Sequence, residues 1–195
     1  MQAKIIELTG SCYYNMLRAT VESFPKETTG YLYGVEKDGK YIIFNAYPIQ
    51  TAIRNPTSVS YGNEAAIKRL RRLENAIGAN SRSKTFLIGG YHSHPKNSTN
   101  YLSEKDTEFI EDEITNLNKN EWVEILLKLK SKNYKKSMEI GEFLKNSNKK
   151  LEIIIRDYSL HGYNITLSAY RIIKNFQNIA IEELKIKRRR RKLLF

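Results

Sequence analysis

Residues 85–95, Thr-Phe-Leu-Ile-Gly-Gly-Tyr-His92-Ser-His94-Pro95, decide how this chain is read. The centre of the stretch is apolar enough for a buried strand, and the proline ends it. In a strand, residues i and i+2 project from one face, so the His92 and His94 imidazoles can converge on one metal ion. Two histidines do not complete a site, and an HxH pair outside a motif is no evidence of metal. A third ligand is at hand in Asp106, twelve residues after His94. Ser103 opens a helix carrying Phe109, Ile110, Ile114 and Leu117. A loop from Pro95 to Leu102 would fold that helix back over the strand end and bring Asp106, in its first turn, against the imidazoles. Two nitrogens, one carboxylate oxygen and an open fourth position form the arrangement of a catalytic zinc. The same ligand set suits non-haem iron, although no cosubstrate pocket accompanies it. Ser103-Glu-Lys-Asp106 also reads as a serine N-cap with an acid three positions on, a near-relative of the capping box. Capping and catalysis are compatible, since both need the hydroxyl at a helix N-terminus.

Outward from this segment the chain mixes strands and helices. Residues 3–8 read as a short strand, and 11–23 as a weak helix that stops before Pro25. Gly30–Val35 and Tyr41–Tyr47 flank an Asp-Gly turn and read as a β-hairpin. Residues 63–78 form an amphipathic helix whose Lys68, Arg69, Arg71 and Arg72 lie mostly on the wet face. From Trp122 the pattern alternates, with Val123, Ile125, Leu127 and Leu129 on one face of a strand. Residues 131–150 are polar, Lys-rich and without period, which reads as an insertion or a mobile loop. Leu151–Arg156 and Ile165–Ile173 pair as late strands across a turn near Gly162, where His161 reads as an exposed loop residue. Without strict βαβ alternation the expectation is an α/β or mixed α+β sandwich, a mixed sheet flanked by helices. The domain spans 1–175, followed at 176–195 by a C-terminal helix and basic tail.

The 195 residues support one domain with a hydrophobic core. The net charge is +12, but residues 185–195 hold seven basic residues and no acidic one, which leaves +5 for the body. Such a run is usually a solvated tail whose removal leaves folding intact. Its functional reading is contact with nucleic acid or another polyanion through phosphate charge. No apolar run is long enough for a membrane helix, and the first residues lack a signal-peptide pattern. The single cysteine, Cys12, lies in an apolar stretch and reads as an inert core thiol. With no internal disulfide to form, the chain is expected in the cytoplasm.

His92-Ser-His94-Pro95 followed by Ser103-Glu-Lys-Asp106 resembles the JAMM (MPN+) metalloproteases of prokaryotic or archaeal type, whose pattern is an upstream glutamate, HxHP, a spacer and SxxD. The upstream piece is similar too, in Phe24-Pro-Lys-Glu27-Thr-Thr-Gly30-Tyr-Leu-Tyr-Gly34. The spacer before Ser103 is one residue longer than in the family's pattern. The resemblance implies an MPN-like sandwich and a zinc-dependent peptidase or isopeptidase. His92, His94 and Asp106 would then hold Zn²⁺, Glu27 would act as general base and acid, and Ser103 would donate to the oxyanion. It also implies a protein substrate modified through the Gly-Gly tail of a ubiquitin-like or sulfur-carrier-like protein, which can lie extended beside a strand. A non-catalytic scaffold is the alternative the wider family offers, as some of its members lack the ligands.

Overall fold

A computed structural model describes residues 5–63, 65–70, 72, 86–95, 101–135, 138–147, 149–175 and 178–189. In chain order these form β1 (Ile5–Leu8), α1 (Gly10–Ser23), β2 (Thr29–Lys37), β3 (Lys40–Pro48), β4 (Ala52–Arg54), β5 (Val59–Tyr61) and β6 (Phe86–Pro95). There follow α2 (Glu104–Asn116), β7 (Glu121–Asn133), β8 (Gly141–Ser147), β9 (Lys150–Arg156), β10 (His161–Asn175) and β11 (Asn178–Arg188). Residues 65–70 are also helical, while Leu73 and Ile77 of the helix expected over 63–78 lie outside the described residues.

The helix-flanked α/β sandwich expected from the sequence is not what forms. Strands dominate, and seven of them, in the order β11-β1-β3-β2-β6-β7-β10, close into a barrel because β10 also pairs with β11. The physical reason lies in β10, which is long enough to serve three partners. It pairs with β7 along its length, with β9 over Gly162–Leu167 and with β11 over Ala169–Asn175. One strand therefore sends the sheet in two directions: one end continues through β9 to β8, and the other closes the ring.

Two segments are corrected with it. Residues 131–150 are no insertion or mobile loop in their described part: β7 runs on to Asn133, and β8 pairs with β9. β8 is an edge strand with no buried position, so a polar, Lys-rich sequence is tolerated there. The helix expected at the head of 176–195 is instead β11, whose Leu184 and Ile186 are buried. Lys185–Arg188, read as the start of a solvated tail, pair in parallel with Ile5–Leu8, and Lys187 bonds Glu7 at 2.9 Å. Residues 190–195 lie outside the described residues.

Two apolar clusters sit on opposite faces of the sheet, because successive strand residues alternate. Val123, Ile125, Leu127 and Leu129 join Cys12, Tyr13, Met16 and Leu17 of α1 in one. Trp122 and Leu126 join Tyr31, Ile110 and Ile114 in the other, which seats α2. Cys12 is fully buried, and desolvation holds its thiol well above the ordinary range, as a core thiol requires.

Candidate metal centre

β6 carries His92 and His94 on one face, as its spacing demands, with both nearly buried. Its other neighbours hold the strand in place. Gly89 lies against the backbone of Val123, where no side chain would fit. Ser93, between the histidines, donates its N–H to the Thr28 carbonyl at 2.9 Å and accepts the Thr28 N–H on its hydroxyl at 2.9 Å. These two hydrogen bonds to Thr28 hold the backbone beside Glu27, whose own N–H reaches the Asn55 carbonyl at 2.8 Å. Glu27 is 6% exposed.

α2 supplies the third group. Ser103 is its N-cap in a full capping box: the Asp106 N–H reaches the Ser103 hydroxyl at 3.2 Å, and the Asp106 carboxylate accepts the Ser103 N–H at 2.7 Å. The Ser103 hydroxyl also donates to Asp106 Oδ2 at 2.7 Å. Ile110 and Ile114 bury the helix against the sheet, and Glu113 accepts the Tyr31 hydroxyl at 3.0 Å. Asp106 Oδ1 thereby lies 3.5 Å from His92 Nε2, and Oδ2 lies 3.4 Å from His94 Nε2. One ligand atom from each of His92, His94 and Asp106 falls within 4.8 Å of the others.

The donor set fits a divalent cation. Among the described residues His92 Nε2 is buried with no hydrogen-bond partner beyond that Asp106 contact, so it faces into the cluster. Nitrogen and carboxylate ligands in this number suit zinc. Burial opposes charge on His92, but bonds to Asp106 and Glu124 outweigh it and hold the imidazole pKa up at about 10. Burial likewise opposes charge on Asp106, yet its bonds to both imidazoles hold the carboxyl well below the usual range. Such opposed, strong shifts mark a site that concentrates charge, which a cation would replace. Burial raises the Glu27 pKa against the pull of His94 and His92.

All five residues singled out from the sequence line one cleft of about 570 Å³. Pro56, Thr57, Ser58 and Val59 also line it, with Phe109 and Trp122 among its apolar residues. His161 is elsewhere, at the start of β10, with Nδ1 on Asn133 Oδ1 at 2.9 Å. Sequence reasoning missed Glu124, which holds His92 Nδ1 at 2.8 Å. The signal was present as a lone carboxylate inside the apolar run Trp122–Leu127, since a charge buried there needs partners.

The fold is shared with solved proteins. The solution structure of protein DSY2949 from Desulfitobacterium hafniense is similar at a TM-score of 0.54 and 14% identity, over 94% of this chain and 92% of that one. No curated protein matches the chain. The model of the family described as prokaryotic homologs of the JAB domain matches residues 11–140, which include β2, β6 and α2 with all five cleft residues. On that match the chain belongs to the prokaryotic JAB-domain family.

Proposed function

We propose that the protein is a zinc-dependent metallopeptidase or isopeptidase that hydrolyses an amide bond at the C-terminus of a ubiquitin-like or sulfur-carrier-like protein. The observation that carries this reading is the convergence of His92, His94 and Asp106 within 4.8 Å, in a cleft that also holds Glu27 and Ser103. His92 Nε2, His94 Nε2 and an Asp106 oxygen would hold the zinc, which when bound lowers the pKa of the attacking water to about 7 and polarises the carbonyl. Glu27, nearly buried beside the cluster, accepts the proton of that water and returns it to the leaving amine. The Ser103 hydroxyl, at the α2 N-terminus, would turn its one proton from Asp106 Oδ2 to the oxygen on which negative charge develops. On this reading the tail would lie extended, the form a Gly-Gly terminus takes, in the cleft that Pro56–Val59 and Thr29–Tyr31 of β2 both line.

A polyanion remains a second proposed partner. It draws on less of the basic run than composition suggests, because Lys187 bonds Glu7 and Arg188 bonds Glu142 at 3.1 Å.

Metal analysis of protein purified without added zinc, paired with a Gly-Gly-linked peptide amide as substrate, tests the reading. One zinc per chain, lost in His94→Ala together with hydrolysis, is the expected result. Metal content that His94→Ala leaves unchanged would overturn it.

A further inference from the structure

Glu124 is a carboxylate in the wrong place for a structural strand. It is 4% exposed, in β7, among Trp122, Val123, Ile125, Leu126 and Leu127, all of them buried. Burying a carboxylate without partners is costly, so the identity of its partners says what it is for. Both oxygens are taken by ring nitrogens: Oε1 by His92 Nδ1 at 2.8 Å and Oε2 by Trp122 Nε1 at 2.7 Å. An indole nitrogen can only donate, and an ionised carboxylate can only accept. The carboxylate therefore demands a proton on Nδ1 of His92, which in a neutral ring leaves Nε2 as the bare lone pair. Nε2 is the buried atom that faces Asp106 at 3.5 Å and, among the described residues, has no other partner.

We propose that Glu124, itself oriented by Trp122, is a positioning residue that fixes the Nδ1–H tautomer of His92 and so presents Nε2 to the metal. This rests on the reading of His92 as a zinc ligand. The surroundings are shaped for it. Gly90 stands opposite Glu124 in the parallel β6–β7 register, and a methyl there would come 2.9 Å from Glu124 Oε2 and 3.1 Å from the Trp122 ring. The glycine is the space that the carboxylate and indole occupy. Nothing else among the described residues bonds His92 Nδ1.

The tautomer argument makes a prediction that plain packing does not. Glu124→Gln keeps the shape but offers one acceptor oxygen to two competing N–H donors. If Trp122 takes the oxygen, the amide NH₂ faces Nδ1, which must then accept, and the proton moves to the atom that should bind metal. Zinc affinity of the full chain, measured by competition with a chromophoric chelator and zinc alone as the probe, should fall about 10–100-fold in Glu124→Gln. Trp122→Phe removes the competing donor. In the double variant Trp122→Phe/Glu124→Gln the amide oxygen is free for His92, so most of the lost affinity should return. A purely structural role predicts instead that the two losses add. Wild-type zinc affinity in Glu124→Gln, or a double variant that binds no tighter than the single, overturns the proposal. A wild-type chain that binds no zinc overturns the metal reading and this one with it, so the two failures are told apart. Should Glu124→Gln not fold, Gly90→Ala decides by the same readout, because it displaces the carboxylate without deleting it; unchanged affinity there is the overturning result.

Discussion

Asp106 and His92 show how a single residue position can be stable for one reason and functional for another. In the metal-free chain the protonated His92 sits between the Asp106 and Glu124 carboxylates, which hold its pKa at about 10 against about 6.5 in an unfolded chain. Its contribution to stability is then complete below about pH 6.5 and is lost as pH rises toward 10. Asp106 has the opposite sign: its depressed pKa adds stability above the ordinary carboxyl value of about 4, which is lost as pH falls below it. Zinc competes with the His92 proton, so it should raise the melting temperature more at pH 8 than at pH 6. A gain that is equal at the two pH values would count against His92 as a ligand. Glu27→Gln should keep zinc but lower kcat by about 10²–10⁴, because the amide cannot accept the proton. Ser103→Ala separates two roles of one hydroxyl. Loss of the cap alone costs about 0.5–2 kcal/mol and leaves kcat nearly unchanged. Loss of an oxyanion donor lowers kcat by about 10²–10³. Both effects are expected together, read from melts and steady-state kinetics on the same preparation.

β11 is where the element scale departs most from the sequence. Its inner positions are core and its outer ones are wet: Ile186 is 1% exposed and Ile181 45%. Charge hides this, since Lys185, Lys187 and Arg188 flank the buried position. Ile186→Ala should therefore cost about 2–5 kcal/mol in urea unfolding, the range for a buried aliphatic truncation. Ile181→Ala should cost within about 0.5 kcal/mol, as surface changes do. Similar losses at the two positions would show that β11 is not half-buried. α2 works differently, because the acid of its capping box is the one that meets the two imidazoles. The segment Ser103–Asp106 was legible for that reason: local backbone chemistry and the site ask for the same side chains.

For the whole molecule, closure of the barrel depends on residues the composition assigns to a tail. Deleting 185–195 removes all four β1–β11 register pairs, from Ile5–Lys185 to Leu8–Arg188, and the Glu7–Lys187 ion pair. The deletion variant should melt well below the full chain and exchange its β1 amides faster. An unchanged melting temperature would restore the reading of 185–195 as a solvated tail. The site lies on the opposite run of strands, β2-β6-β7, and among the described residues no helix is long and apolar enough to cross a membrane.

By itself, the sequence determined the candidate ligand set and the elements that carry it. His92 and His94 are two apart in an apolar strand, and Ser103 and Asp106 are three apart at a helix start, so spacing alone sets which face each occupies. Only the tertiary structure decided what surrounds them. Glu124 is thirty-two residues from His92, Glu113 is eighty-two from Tyr31, and β11 meets β1 across nearly the whole chain. Local periodicity reports which residues share a face, but not which strand lies beside it or whether a sheet closes. Those depend on register between distant strands, and here the long β10 sets it by pairing with β7, β9 and β11 at once.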